Sequence, residues 1–254
     1  MRSSKYLVCL WLVMAVVLFL AQPSTAQIPG MPKLYGEFKM PEVGAYATYK
    51  VTNIKSNVER ITKLSIVGVE KSEGGVQKIY EEGETKKVVE GGKVQPISKP
   101  KEENFYWYEV KETDPKTGNV VIVKMLISDN PQEIGTIQRM IMKSGKEPAS
   151  ELPQELLGMI NQPTPDTLKV AKPKMKNLGT EKVKIKDKTF KCSHLQYILK
   201  GKTTADVWTN KKVPLFGLVK STSPEITMEL LEYGTDAVSA IKEKPEVLKI
   251  PQQK

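Results

Sequence analysis

The sequence predicts a mainly β, α+β chain: an antiparallel sheet with two or three short helices packed against it. Three observations carry this. Most apolar residues fall in short aromatic and β-branched runs with no helical period, bounded by Gly, Pro, Asn and Asp. Clear helical spacing is confined to two windows, both in the middle of the chain. Cysteine and histidine are nearly absent, with two and one copies, so the fold must stand on a hydrophobic core rather than on disulfides or a metal cluster.

The chain opens with the basic stretch Met1 to Lys5, then a charge-free apolar run from Tyr6 to Ala21, then Pro23 and the small residues Ser24 and Ala26. This is the layout of a secretory signal peptide over residues 1–26, cleaved near Ala26, and it predicts a periplasmic protein. The alternative is an uncleaved anchor, but the run of 16 residues falls short of the ~20 a spanning helix needs. Cys9 lies at the start of that run, which does not suit lipid attachment. Residues 27–43 read as an extended Pro- and Gly-rich lead-in, and 44–241 as a single β domain. Residues 242–254, with Pro245 and Pro251, read as a disordered tail. The formal charge is +10, with the basic residues scattered along the chain. That pattern suits a solvated surface; the functional alternative is peripheral contact with anionic head groups or acidic polymers.

Gly44 to Val51 and Val58 to Val69 are predicted strands, followed by shorter ones at Val76 to Tyr80 and Lys86 to Val94, with turns at Glu82-Gly83 and Gly91-Gly92. The richest aromatic segment is Asn104 to Val110. Alternation puts Phe105 and Trp107 on one side and Tyr106 and Tyr108 on the other. Asp114-Pro115-Lys116-Thr117-Gly118 reads as a turn. Asn119 to Ser128 is apolar on both faces and should be covered on both. Asn130-Pro131-Gln132-Glu133 resembles a helix start, with Ile134, Ile137, Met140 and Ile141 at helical spacing and Gly145 as its end. A second helix is predicted from about Pro153 to Asn161, with Leu156, Leu157 and Ile160 on one face and Pro163 and Pro165 beyond it. Strands resume at Lys182 to Lys186 and Thr189 to Leu199 across Asp187-Lys188. Thr203 to Thr209, Val213 to Ser221 and Glu225 to Tyr233 follow. Thr235 to Ile241 has room for one or two helical turns.

The chemistry is mostly negative. His194 shares its strand face with Phe190 and Cys192, and a half-buried strand histidine is the expectation. Cys192 and His194 make two potential ligands, where a zinc site takes about four. Gly201-Lys202-Thr203 resembles the end of a phosphate loop, but position 196, where the first glycine belongs, is Gln. No nucleophile elbow, dinucleotide fingerprint or zinc-protease helix is present in the sequence. Glu81-Glu82 and Glu102-Glu103 are sequence neighbours, which point apart in strands and turns. The expectation is a non-enzyme without metal or cofactor. The basic, aromatic composition raises nucleic-acid binding, but an exported chain with dispersed charge argues against it.

The segment Thr204-Ala205-Asp206-Val207-Trp208-Thr209-Asn210-Lys211-Lys212-Val213-Pro214-Leu215-Phe216-Gly217-Leu218-Val219-Lys220 is a tryptophan-bearing strand, a turn, a proline and the next strand. With Glu225 to Gly234, Gly179 to Val183 and Phe190 to Cys192, it resembles the LolA/LolB-like lipoprotein-carrier superfamily and its uncharacterised exported DUF4412/DUF3108-like relatives. The resemblance covers mainly residues 177–241 and more loosely 43–142. It implies a curved antiparallel half-barrel with the helices against its concave face, and an apolar cavity for a lipid or lipoprotein-like ligand. The expected role is therefore a binding or carrier protein of the cell envelope. The alternative is an envelope scaffold or protein-interaction module without lipid. Candidate ligand contacts are Phe105 and Trp107 in the aromatic run, and Trp208, Pro214, Leu215 and Phe216 at the strand–turn–strand corner. For each of these, core packing is the competing assignment.

Overall fold

The β-branched and aromatic runs pair into one open, curved twelve-stranded sheet. The computed structural model describes residues 42–71, 104–128, 136–161, 174–199 and 201–248. The expected signal peptide, nearly all of the lead-in, the strands 76–80 and 86–94 with their turns, the helix start at 130–133 and residues 249–254 lie outside them. The elements are β1 (Tyr46–Asn53), β2 (Val58–Lys71), β3 (Asn104–Thr113), β4 (Val120–Ser128), β5 (Ile137–Ser144), β6 (Ser150–Glu151), α1 (Gln154–Ile160), β7 (Lys174–Ile185), β8 (Lys188–Leu199), β9 (Lys202–Thr209), β10 (Leu218–Thr222), β11 (Ile226–Gly234) and β12 (Glu246–Val247). The spatial order is β12-β6-β5-β4-β3-β2-β1-β11-β10-β9-β8-β7. Two antiparallel meanders thus run outward from the centre, where β1 pairs with β11. Among the described residues only the short β12–β6 ladder is parallel.

The strands from Gly44, Val58, Asn104, Asn119, Thr203 and Glu225 form close to where the sequence places them. Ile185 pairs with Lys188, so the hairpin turn is Lys186-Asp187, one residue earlier than expected. The helix at Pro153 to Asn161 is present as α1, and Leu157 is its buried residue.

Five expectations are corrected. Among the described residues there is one helix, not two or three. The segment carrying Ile137, Met140 and Ile141 is strand β5, and the reason is a bulge. Ile127 pairs with Ile137 while Leu126 pairs with Arg139, which leaves Gln138 as an extra residue. The bulge puts Ile137 and Met140, three apart, into the same core cluster, while Ile141 joins the cluster on the other face. A bulged strand therefore mimics helical spacing. Thr235 to Ile241 forms no helix: Ala237 N–H donates to Gly44 O at 2.8 Å and the segment crosses the sheet as a strap. The strap continues past Lys242 in place of a disordered tail, because β6 offers a free edge: Glu246 N–H donates to Ala149 O and Leu248 N–H to Glu151 O, both at 2.9 Å. Finally, the strand expected from Val213 starts only at Leu218. Pro214 has no N–H for a ladder, and Leu215 and Gly217 adopt φ of 66° and 67° in the loop before it.

The face carrying α1 is termed the inner face. On it, Val110, Val123, Met125, Ile137 and Met140 pack with Leu152 and Leu157. The opposite, outer face of the same strands carries Trp107, Ile122, Leu126 and Ile141, covered by Ile241 of the strap. β4 is thus covered on both sides, as its apolar run requires.

Candidate functional site

The six candidate residues do not converge. Trp107 is buried on the outer face with Ile122, Leu126, Ile141 and Ile241, and Phe105 packs against that cluster. Trp107 Nε1 donates to Glu70 Oε1 at 2.8 Å, and Lys124 Nζ and the Arg139 guanidinium sit 4.7 and 5.2 Å from its ring centroid. Arg139 is itself fixed by two bonds to Glu151, at 2.7 and 3.2 Å. The strap is locked over this region by Glu109, 3% exposed, whose carboxylate accepts from Ser239 Oγ at 2.7 Å and Ala240 N at 3.0 Å. The Trp107 indole N–H, the Arg139 guanidinium and the Glu109 carboxylate are thus all engaged within the protein.

Trp208 lies elsewhere, on β9. It stacks on His194 with centroids 4.4 Å apart and donates from Nε1 to Glu181 Oε2 at 2.7 Å. Its strand neighbours Ala205, Val207 and Thr209 are buried on the opposite side. The sequence did not reveal the cluster it joins. His194 Nε2 lies 3.0 Å from Asp206 Oδ1, Nδ1 lies 3.2 Å from Glu181 Oε2, and Gln196 also donates to Asp206, at 3.2 Å. Pairing of β8 with both β7 and β9 creates this group, which ties three strands together. The half-buried strand histidine is as expected, at 18% side-chain exposure. Among the described residues, no three His, Cys, Asp or Glu side chains are placed to hold one metal ion.

Pro214, Leu215 and Phe216 sit in the β9–β10 loop. Leu215 packs against the cluster of Ala47, Tyr49, Val213, Val219 and Leu230. Phe216 stacks on Tyr108, with centroids 6.1 Å apart and planes at 27°. Tyr108 pairs with Met125 on the inner face, so Phe216 and Trp107 lie on opposite sides of β3. Leu215 and Phe216 therefore belong with a different aromatic than the sequence singled out.

That aromatic marks the most suggestive part of the molecule. Ladder pairing lines up Tyr49, Leu64, Ile66 and Tyr108 across the inner side of β1, β2 and β3. The loop 210–217 covers this strip towards β10, and α1 covers β3 to β5 beside it. Tyr49 donates its hydroxyl to Leu218 O at 3.2 Å. Tyr108 Oη is buried and has no hydrogen-bond partner among the described residues. Burial raises the Tyr108 pKa well above its ordinary value, so the group is a neutral donor held in apolar surroundings. A signal for this existed in the sequence, since alternation set Tyr108 opposite Trp107. Nothing in the sequence indicated which aromatic the loop would cover.

Cys192 is fully buried beside Phe190, with its thiol pushed up to about 11 by burial. It is a packing residue with little thiolate at neutral pH.

No protein-family model matches the chain, and no curated protein does. Among solved structures, the chain aligns with the crystal structure of a provisionally named lipoprotein from Parabacteroides distasonis ATCC 8503. The sequences are 11% identical, the TM-score is 0.33, and the alignment covers 78% of this chain and 98% of that one.

Proposed function

We propose that this is an exported, non-catalytic binding or carrier protein of the cell envelope, and that the inner face of β1 to β3 takes a lipid-like ligand beneath the β9–β10 loop. The observation that carries this reading is the Tyr108 hydroxyl, buried without a partner among the described residues and lying under Phe216. A buried polar group left unpaired costs about 1–3 kcal/mol, and most such groups in native proteins have a partner. A ligand with an apolar chain and one acceptor, such as a fatty acyl carboxyl or ester, would supply it. Its chain would pack on Tyr49, Leu64 and Ile66, gaining roughly 25 cal/mol per Å² of apolar surface removed from water. Leu215 and Phe216 form the wall over this strip, and the ligand would displace them, because Tyr49 and Ile66 are fully buried. The signal-peptide pattern and the resemblance to lipoprotein carriers support the same reading.

Native mass spectrometry of protein purified from its own host tests it. The expected result is a copurifying acyl lipid, lost or much reduced in Phe216→Ala. Protein that carries no lipid and takes up neither a fatty acid nor a phospholipid after delipidation would overturn it.

A further inference from the structure

We propose that the β7–β8 hairpin is a docking element for an anionic membrane surface. The hairpin has two unlike faces. One carries Val183, Phe190 and Cys192, all buried in the core with Ala47, Tyr49 and Leu230. The other carries Thr180, Lys182 and Lys184 on β7 and Thr189, Lys191 and Ser193 on β8, all exposed. It holds three ammonium groups and no carboxylate. Lys182 is directly opposite Lys191 in the ladder. Like charges in that position repel, a cost that an anionic partner would relieve. Lys186 and Lys188 extend the charge around the turn, where Asp187 is the one acid.

These lysines are not neutralised. Elsewhere Lys50 pairs with Glu59, Lys55 with Glu225 and Lys220 with Glu229. Lys182, Lys184 and Lys191 have no ion pair among the described residues. The nearby Glu181 is on the other face, engaged with His194 and Trp208. The display is also rigid, because the reverse side of the same strands is anchored in the core.

The chemistry favours a diffuse anionic surface over a shaped ligand. All the cations are lysine, a compact point charge without the planar fork that reads single phosphates or carboxylates. The exposed face has no aromatic ring on which a nucleic-acid base would stack. A membrane bearing anionic head groups attracts such a strip without requiring a particular geometry. The inference stands apart from the ligand reading, since its residues lie outside the Tyr108 site.

Cosedimentation of the full chain, purified from its host, with vesicles tests it. One set is phosphatidylcholine alone and the other contains a large fraction of phosphatidylglycerol. Binding is expected only to the anionic set, weakening as salt rises. Lys182→Glu/Lys184→Glu/Lys191→Glu should lose at least ~tenfold in affinity, and the matching triple glutamine variant should lose less but in the same direction. A control with equal charge change, Lys116→Glu/Lys146→Glu/Lys242→Glu, should bind like the wild type. The proposal is overturned if wild type does not bind, if it binds both vesicle sets equally, if the control loses as much as the hairpin variant, or if the hairpin variants bind normally. It is equally overturned, in favour of a polymeric partner, if single-stranded RNA or an acidic peptide displaces the protein from vesicles through the same lysines. Lipid copurification measured by native mass spectrometry should be unchanged in the hairpin variants, which separates failure of this proposal from failure of the ligand reading.

Discussion

Phe216 lies over Tyr108 at a centroid distance of 6.1 Å, so a loop between β9 and β10 reaches across the sheet to a strand of the other meander. The contact couples the two halves of the chain at the place where the Tyr108 hydroxyl has no partner among the described residues. Tyr108→Phe removes that hydroxyl and keeps the ring. Thermal unfolding of the delipidated protein should show unchanged or higher stability, by up to ~1–3 kcal/mol. Affinity for a fatty acid probe should fall. A variant that loses stability in the ligand-free form would show that the hydroxyl already has a protein partner.

Glu109 holds the strap. Its carboxylate is buried and accepts from Ser239 and Ala240, so Glu109→Ala leaves those donors unsatisfied and should cost ~1–3 kcal/mol. The effect should be local first. Hydrogen exchange over residues 235–248 should rise before exchange in β3 and β4 does. Uniform exchange across the whole sheet would mean that the strap and sheet open as one unit.

How much of this could be read from the sequence differs by element. The strands were legible because their patterns are local: β3 carries the aromatic run Phe105 to Tyr108 and β4 opens on the β-branched run Val120 to Val123. β5 was not, since its bulge at Gln138 puts Ile137 and Met140 on one face at helical spacing. The strap was not legible either, because its order comes from Glu109 and Ala149, each about a hundred residues or more away in sequence. In the candidate site, Leu215 and Phe216 were identifiable from the corner around Pro214. Tyr108 was visible only as the alternative face of the aromatic run, and the Glu181–His194–Asp206 group depends on strand register that no local pattern reveals.

Trp208 tests the role of that group. Trp208→Phe keeps the stack on His194 and removes the bond to Glu181, and should cost about 0.5–1.5 kcal/mol. Trp208→Ala should cost more, though less than the ~3–5 kcal/mol of a fully buried aromatic, because the ring is only half-buried. Urea unfolding measures both. Fatty acid affinity should stay unchanged in either variant, and its loss would place Trp208 in the ligand site.

Alkaline pH should destabilise the fold through buried acids. Burial raises the Cys192 thiol to about 11 and the Tyr197 phenol to about 12, from ordinary values of 9.0 and 10.0, and it raises Tyr49 further still. The folded chain therefore holds these protons more tightly than the unfolded one. Their stabilising contribution is complete below pH 9, declines as pH rises through the unfolded-state values, and is lost above the folded ones. Urea midpoints should fall between about pH 9 and 12, with Cys192→Ala removing the earliest part of the decline. Thiol labelling of the native protein should be slow at neutral pH. Rapid labelling there would contradict the packing role of Cys192.

Whether the inner face of β1 to β3 takes a lipid-like ligand at Tyr108 can be read directly by photolabelling with a diazirine-bearing fatty acid followed by peptide mapping. Label is expected on peptides containing Tyr108 or Phe216, abolished by excess unlabelled fatty acid and weakened by Phe216→Ala. Labelling confined to the strap and outer face around Trp107, or label that unlabelled fatty acid fails to displace, would contradict it.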